Sequence, residues 1–228
     1  MPFIPSPQDV AEVVRYAIDK DNVDSIQITG GSTFEAKHEE GHITAYMTAL
    51  NEQVGRSDIK GEILLYITPP ENADVIDRYF ELGADRIACS LEVWDDGLAK
   101  YITPGKYEYT TKKRHLDALE YIAEKYGPGK AFSYFIIGLE PIETLKDGAT
   151  YLAERGIIPS ASVWMPFGKP VMGSMKAPDV EYYRQAKELL AELYVKYSLE
   201  PAGACGLNVC VEKDIWNWAT NPDNDKCC

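Results

Sequence analysis

The chain alternates between short runs of β-branched and aromatic residues and longer segments in which apolar residues recur every three to four positions. The short runs predict buried strands, and the longer segments predict amphipathic helices. Ser6 can cap the first of these helices, and Pro7 suits its first turn. The predicted helices are 7–19, 43–54, 72–82, 111–126, 144–155 and 178–197, and the predicted strands are 25–29, 63–67, 86–92, 131–138 and 158–165.

Apolar strands that alternate with helices indicate an α/β fold with a parallel sheet and right-handed crossovers. A closed barrel and an open doubly wound sheet both fit this order of elements. Because the chain begins with a helix, we expect a unit whose first strand is missing or is supplied elsewhere. No internal linker is evident, so residues 1–200 form one predicted domain and residues 201–228 a predicted irregular, cysteine-containing tail.

Composition narrows the class of protein further. The 228 residues are 45% hydrophobic and 26% charged, which is typical of a globular chain. A net charge of -13 argues against a nucleic-acid partner, because phosphate binding requires a basic face. No apolar run is long enough to span a bilayer and the first residues lack a secretory signal, so we expect a cytoplasmic protein with no membrane partner.

The residues just after each predicted strand are the candidates for chemistry, because parallel α/β folds place their sites there. Gly30, Gly31 and Ser32 follow the first strand and can hold a carboxylate or ammonium group. Ser90 and Glu92 end the third strand, where the acid can accept hydrogen bonds from hydroxyls or an amine. A plain turn at the glycines and a solvated charge at the strand end are the alternatives.

The fourth and fifth predicted strands also end in candidate residues. Gly138 and Glu140 follow the fourth strand, although a glycine at this point can simply relieve crowding. Trp164, Met165 and Phe167 make the end of the fifth strand aromatic, and they can cover a flat base such as adenine. Ordinary core packing is the alternative for these three side chains.

Four of the five cysteines lie near the end of the chain, at Cys205, Cys210, Cys227 and Cys228. Their odd total number and the missing secretory signal argue against a disulfide framework. Thiolates in such a segment are typical of iron–sulfur or zinc ligation, so these four are candidate metal ligands. The alternative is an irregular tail with unpaired thiols.

The order of these motifs resembles that of the radical S-adenosylmethionine (SAM) superfamily, and of biotin synthase within it. Residues 26–32 resemble the strand whose GGE-type motif holds the methionine end of SAM, with Ser32 in place of the acid. Residues 90–93 resemble the Asn-Leu-Asp/Glu-Thr stretch in which the acid contacts SAM. The following loop and helix are also similar, with Lys106 in place of an arginine.

Two later segments extend the resemblance over about residues 7–197. Residues 135–140 resemble the GxIxGxxE motif, and residues 159–170 resemble the strand that covers adenine together with the turn after it. The resemblance implies a partial (βα)6-type TIM-like barrel with parallel strands, in which the first strand is missing. It also implies SAM as the cofactor, bound by the residues at the strand ends. The implied cofactor-binding residues are Gly30, Gly31, Ser32, Ser90, Glu92, Lys106, Gly138, Glu140, Trp164, Met165 and Phe167.

The sequence departs from the family in one respect. Radical SAM enzymes carry a CxxxCxxC loop whose three thiolates bind a [4Fe–4S] cluster, and this sequence contains no such motif. We expect the cluster to come from a missing N-terminal segment or a separate cluster-bearing polypeptide, unless cluster chemistry has been abandoned. The late cysteines have the wrong position and spacing to replace it, although they could carry an auxiliary iron–sulfur cluster.

Two functional hypotheses follow from the resemblance. In the first, the chain is a fragment or subunit of an enzyme that forms a 5′-deoxyadenosyl radical and abstracts hydrogen from a small-molecule substrate in cofactor or metabolite biosynthesis. Such a chain would not be active alone. In the second, it is a non-catalytic barrel without a cluster that binds SAM or completes a partner chain. An aldolase-like barrel ranks last, because no lysine stands at a strand end for Schiff-base chemistry.

Overall fold

A computed structural model describes residues 4–29, 36–165, 172–202 and 211–221 of the chain. The strands are β1 (Ile26–Thr29), β2 (Ile63–Tyr66), β3 (Arg86–Ala88), β4 (Ala131–Ile137) and β5 (Ile158–Val163). The helices are α1 (Pro7–Asp21), α2 (Ala36–Gln53), α3 (Ala73–Glu81), α4 (Asp96–Ile102), α5 (Lys112–Tyr126), α6 (Ile142–Ala153), α7 (Val180–Tyr197) and α8 (Glu212–Thr220). A π-helical turn, Lys106–Thr110, precedes α5.

The five strands form one sheet in the order β1-β2-β3-β4-β5, and all neighbouring pairs are parallel. This confirms the predicted α/β class and the parallel sheet. Strand order equals chain order throughout, as in a barrel, whereas doubly wound sheets reverse their order at a switch point. The carboxyl ends of all five strands therefore lie along one edge of the sheet.

One face of the sheet can be followed through a row of paired residues. Tyr66 on β2 pairs with Ala88 on β3, and Ala88 pairs with Phe132 on β4. The small side chain of Ala88 lets the two rings meet above it, with centroids 5.2 Å apart. Tyr134 lies on the same face because side chains alternate along a strand. Contact across an intervening strand shows that the sheet is concave on this face.

The opposite face of the sheet packs against the helices. Leu65, Ile87 and Phe135 are fully buried there within the hydrophobic core. Gly148 of α6 lets the helix approach closely, since a β-carbon at this position would lie 2.8 Å from the ring of Trp94 and 3.0 Å from that of Phe135. None of the helices in the described ranges combines the length and apolar content needed to cross a membrane.

Three helices differ from the prediction. Helix α2 begins at Ala36, seven residues before the predicted start at 43, and it continues through Gly41. Helix α4 was not predicted; it is short and begins at an N-cap, where the Asp95 carboxylate accepts the Leu98 backbone N–H at 2.8 Å. Helix α8 lies within 201–228, the segment expected to be irregular, and packs against α7.

Candidate functional site

Glu92 and Lys106 form an ion pair at the carboxyl end of β3. The Lys106 ammonium donates a hydrogen bond to the Glu92 carboxylate and a second one, of 2.9 Å, to the Ser90 carbonyl oxygen. The three residues predicted from this segment therefore lie together, although Ser90 contributes its backbone in this contact. Leu91 and Val93, the residues on either side of Glu92, line a small cavity beneath α4, and Lys106 lines the same cavity.

The backbone of Glu92 holds an unusual conformation. Its φ of 72° lies in the left-handed region, which is uncommon for a residue that carries a side chain. Two backbone hydrogen bonds fix it: the Glu92 N–H donates to Tyr134 O at 2.9 Å, and the Ile136 N–H donates to Glu92 O at 2.7 Å. The hydrogen bonds of the sheet thus hold Glu92 in a strained backbone conformation, which fixes the direction of its side chain. Backbone strain of this kind is common at functional sites.

Gly138 and Glu140 lie in the turn at the exit of β4, here named the 138–140 turn. Gly138 has a φ of 105°, and a β-carbon there would lie 3.1 Å from the Tyr183 hydroxyl and 3.3 Å from Pro178. Only glycine suits both the conformation and this close approach of the segment that leads into α7. Packing accounts for the glycine here, and its contact with a cofactor stays a prediction.

The Glu140 carboxylate binds the backbone of the neighbouring loop. It accepts the Trp94 N–H at 3.0 Å and the Asp95 N–H at 3.2 Å, and the residue is only 5% exposed. Burial raises the pKa of this carboxyl, and the two N–H donors offset part of that effect. Glu140 therefore braces the β3 exit loop against the 138–140 turn. Its direct contact with a cofactor stays a prediction.

Trp164 lies just beyond β5, at the same edge of the sheet. Its backbone N–H donates to Ile137 O at 3.0 Å, which extends the β4–β5 pairing by one residue. Its indole Nε1–H is buried, and no acceptor for it is found among the described residues. The next residue, Met165, is 40% exposed. The remaining predicted residues, Gly30, Gly31, Ser32, Phe167, Cys205, Cys210, Cys227 and Cys228, lie outside the described residues.

Three further polar side chains at the ends of β1–β3 were not selected from the sequence. Glu39 of α2 accepts the Thr68 backbone N–H at 2.7 Å, just beyond β2. Its second oxygen, the Thr68 hydroxyl and one nitrogen of Arg114 are buried and lack a hydrogen-bond partner within the part of the chain that is described. The strand-end position of Thr68 was a usable signal. Glu39 was missed because the start of α2 was placed too late.

A chain of hydrogen bonds lies on the concave face of the sheet. The Tyr66 and Tyr134 hydroxyls are 3.2 Å apart, and Tyr134 donates to the carboxylate of Glu212, the first residue of α8. Glu212 is 5% exposed, and burial raises the pKa of its carboxyl. Because Lys213 pairs with Glu200, whose carbonyl binds the β3 residue Arg86, α8 begins near the amino ends of the strands. This network therefore anchors α8 to the sheet.

The described residues do not fit an iron–sulfur cluster. They contain no group of three or more Cys, His, Asp or Glu side chains that could hold a metal ion. Cys89 is the only cysteine in this part of the chain, and burial raises the pKa of its thiol to about 12. A neutral, buried thiol is a poor ligand, because metals bind the thiolate. Any cluster ligands must come from elsewhere.

An α/β sheet of parallel strands in chain order, with polar side chains gathered at its carboxyl edge, defines a TIM-barrel-like protein. The sequence profile of the radical SAM superfamily matches residues 2–153, two-thirds of the chain. The chain therefore belongs to the radical SAM superfamily, as the order of its motifs predicted. The finer resemblance to biotin synthase stays a prediction.

One curated relative and two solved structures show how far the likeness extends. The chain is 27% identical over 194 residues to bacteriochlorophyllide c C-7(1)-hydroxylase from Chlorobaculum limnaeum, covering 83% of this chain and 48% of that protein. HemN, the coproporphyrinogen III oxidase of Escherichia coli and a radical SAM enzyme, superimposes with a TM-score of 0.58 at 16% identity, covering 84% of this chain and 44% of that chain. HydG, a maturase of the [FeFe]-hydrogenase, gives a TM-score of 0.62 at 13% identity, with coverages of 86% and 43%. At such identities the structures show the fold alone, and this chain spans about half the length of the relative.

Proposed function

We propose that this chain forms the SAM-binding core of a radical SAM enzyme and acts with a segment or partner chain that carries the [4Fe–4S] cluster. Membership of the superfamily supports the general role. The observation that carries the proposal is the Glu92–Lys106 pair, which lies at the carboxyl edge of the sheet and includes a residue with a strained backbone, Glu92. A structural ion pair on the surface would need no such conformation.

The Glu92 carboxylate is suited to bind the ribose hydroxyls or the amine of SAM. An ionised carboxylate offers about four acceptor sites, and Lys106 and its neighbours leave several of them open. Lys106 fixes the orientation of the carboxylate, because its ammonium is itself held by the Ser90 carbonyl oxygen. The two side chains are 21% and 29% exposed, so a ligand can reach them without unfolding the loop.

The adenine of SAM would lie between the 138–140 turn and Trp164. The buried indole N–H of Trp164 lacks an acceptor among the described residues, and a ring nitrogen or a ribose oxygen would supply one. In this arrangement the chain orients SAM and excludes water. A [4Fe–4S] cluster, held by ligands outside the described residues, would supply the electron for the cleavage of SAM and for hydrogen abstraction. Given the relative's name, a bacteriochlorophyllide is the first substrate to assay.

Calorimetric titration of the 228-residue chain with SAM tests this proposal. We expect Glu92→Gln to weaken binding by at least about tenfold, because it removes a charge-assisted acceptor and the partner of Lys106. The matched control is Glu200→Gln, which removes the acid of an exposed ion pair at the amino edge of the sheet. The proposal is wrong if the unmodified chain does not bind SAM, or if both variants bind it as tightly as the parent.

A further inference from the structure

Tyr182 joins helix α7 to the exit of β4. Its hydroxyl accepts the Gly138 N–H at 3.1 Å and donates to the Glu140 carbonyl oxygen at 3.0 Å. The helix itself is fixed at this end, because the Asp179 side chain caps it by accepting the Tyr182 N–H at 3.0 Å. One phenol therefore satisfies a donor and an acceptor of the 138–140 turn.

The backbone of this turn depends on that phenol. Gly138 follows the last residue of β4 with a φ of 105°, so its N–H has left the strand ladder. A half-buried N–H without a partner is costly, and no other acceptor for it is found among the described residues. The phenol is itself partly withdrawn from water, and burial raises its pKa. It therefore remains a neutral donor and acceptor at physiological pH.

The 138–140 turn is also connected to the ion pair at the end of β3. The Glu140 carboxylate holds the backbone N–H groups of Trp94 and Asp95, which follow Glu92 by two and three residues. A continuous set of hydrogen bonds thus runs from α7 through the 138–140 turn to the loop that carries Glu92. Moving the turn would shift both walls of the proposed adenosine site.

We infer that Tyr182 is a positioning residue that sets the affinity of this protein for the adenosine portion of SAM. This inference rests on the proposed function. Tyr182 contacts the turn and not the ligand, so it acts through the backbone of Gly138 and Glu140. It lies outside residues 2–153, the part matched by the superfamily profile.

The test compares Tyr182→Phe with Tyr151→Phe. Tyr151 of α6 is also half-buried and donates one hydrogen bond, of 2.7 Å, to Glu120. The control therefore removes a similar hydrogen bond between α6 and α5, and it keeps the ring that packs against Trp94. Dissociation constants are measured by calorimetry for SAM and adenosine, and by NMR for methionine. We expect Tyr182→Phe to bind SAM and adenosine about tenfold more weakly, as the loss of one buried hydrogen-bonding group predicts.

A spectroscopic signature separates positioning from a general loss of structure. In Tyr182→Phe the backbone amide of Gly138 should shift and exchange faster with solvent, while methionine affinity and the amides of α5 stay as in the parent. A parent chain that binds neither SAM nor adenosine refutes the proposed function, and this inference with it. A parent that binds adenosine no more tightly than Tyr182→Phe, or a Tyr151→Phe variant that is equally weakened, refutes this inference alone.

Discussion

His115 makes folding stability depend on pH in a direction that can be calculated. It lies in the first turn of α5, is 3% exposed, and its Nδ1 is 2.8 Å from the Thr111 carbonyl oxygen. A carbonyl only accepts, so Nδ1 carries the proton in the neutral ring. Burial lowers the pKa of this imidazole to about 4; the nearby charges of Lys106 and Arg114 add to the lowering, and the Thr111 hydrogen bond opposes it.

The direction of this pH dependence follows from the pKa of His115 in the folded and in the unfolded chain. The imidazole takes up a proton at an ordinary pKa of about 6.5 when the chain is unfolded, but only near pH 4 when it is folded. The stability that depends on the neutral His115 ring is therefore fully present above pH 6.5, and it is lost as the pH falls toward 4. Between pH 7.5 and pH 5 the loss from this one group amounts to about 2 kcal/mol.

Urea unfolding at pH 7.5 and pH 5, followed by tryptophan fluorescence, measures this loss. His115→Phe keeps a buried ring but cannot titrate, so its stability should change with pH by about 2 kcal/mol less than that of the parent. Carboxyl groups titrate equally in both proteins and cancel in the comparison. The control, His42→Gln, alters an exposed histidine of α2 and should keep the parent's dependence. The reasoning is refuted if parent and His115→Phe show the same dependence.

Two further predictions concern packing and acid stability. Asp77→Asn should lower the melting temperature by several degrees and flatten its fall in acid, because this carboxylate accepts hydrogen bonds from two phenols and a lysine of α5, which lower its pKa to about 2. A parent whose melting temperature falls no more than that of the variant between pH 7 and pH 2 would contradict this. Gly148→Ala should destabilise the fold by about 2 kcal/mol in urea unfolding, because the new methyl overlaps the Trp94 ring. Gly41→Ala, with nothing within 4 Å of its β-carbon, should be neutral or stabilising; equal losses in both glycine variants would refute the packing argument.

The parts of the fold that were predictable depend on local signals. Ser6 caps α1 as expected, with a reciprocal capping box to Asp9, because the residues concerned lie within one turn. The start of α2 was missed because Gly41 weakens the local helical pattern, whereas the Glu39 contact with the β2 exit supports the helix from outside. Helix α8 was missed for a similar reason, since its anchoring acid binds a tyrosine 78 residues away.

The candidate site also combines contacts that are local in sequence with contacts between distant segments. The sequence could bring Glu92 and Lys106 together, because both follow β3 and they are only 14 residues apart. The bracing role of Glu140 depends on a bond to Trp94 across 46 residues, and that of Tyr182 on a bond to Gly138 across 44 residues. No spacing within one segment reports such contacts, since they exist only when the loops and α7 are assembled.

If SAM binds at the carboxyl edge of the sheet, as proposed, the four indole N–H signals of the chain report on it directly. Titration with SAM, followed by ¹⁵N NMR and assigned with single Trp→Phe variants, should shift the Trp164 signal strongly, because its N–H gains an acceptor. The Trp218 signal should not move, since this ring lies on α8 beneath Lys187 of α7 and is not part of the proposed site. A Trp164 signal that stays in place at saturating SAM, or a shift confined to Trp216 and Trp218, would contradict the account.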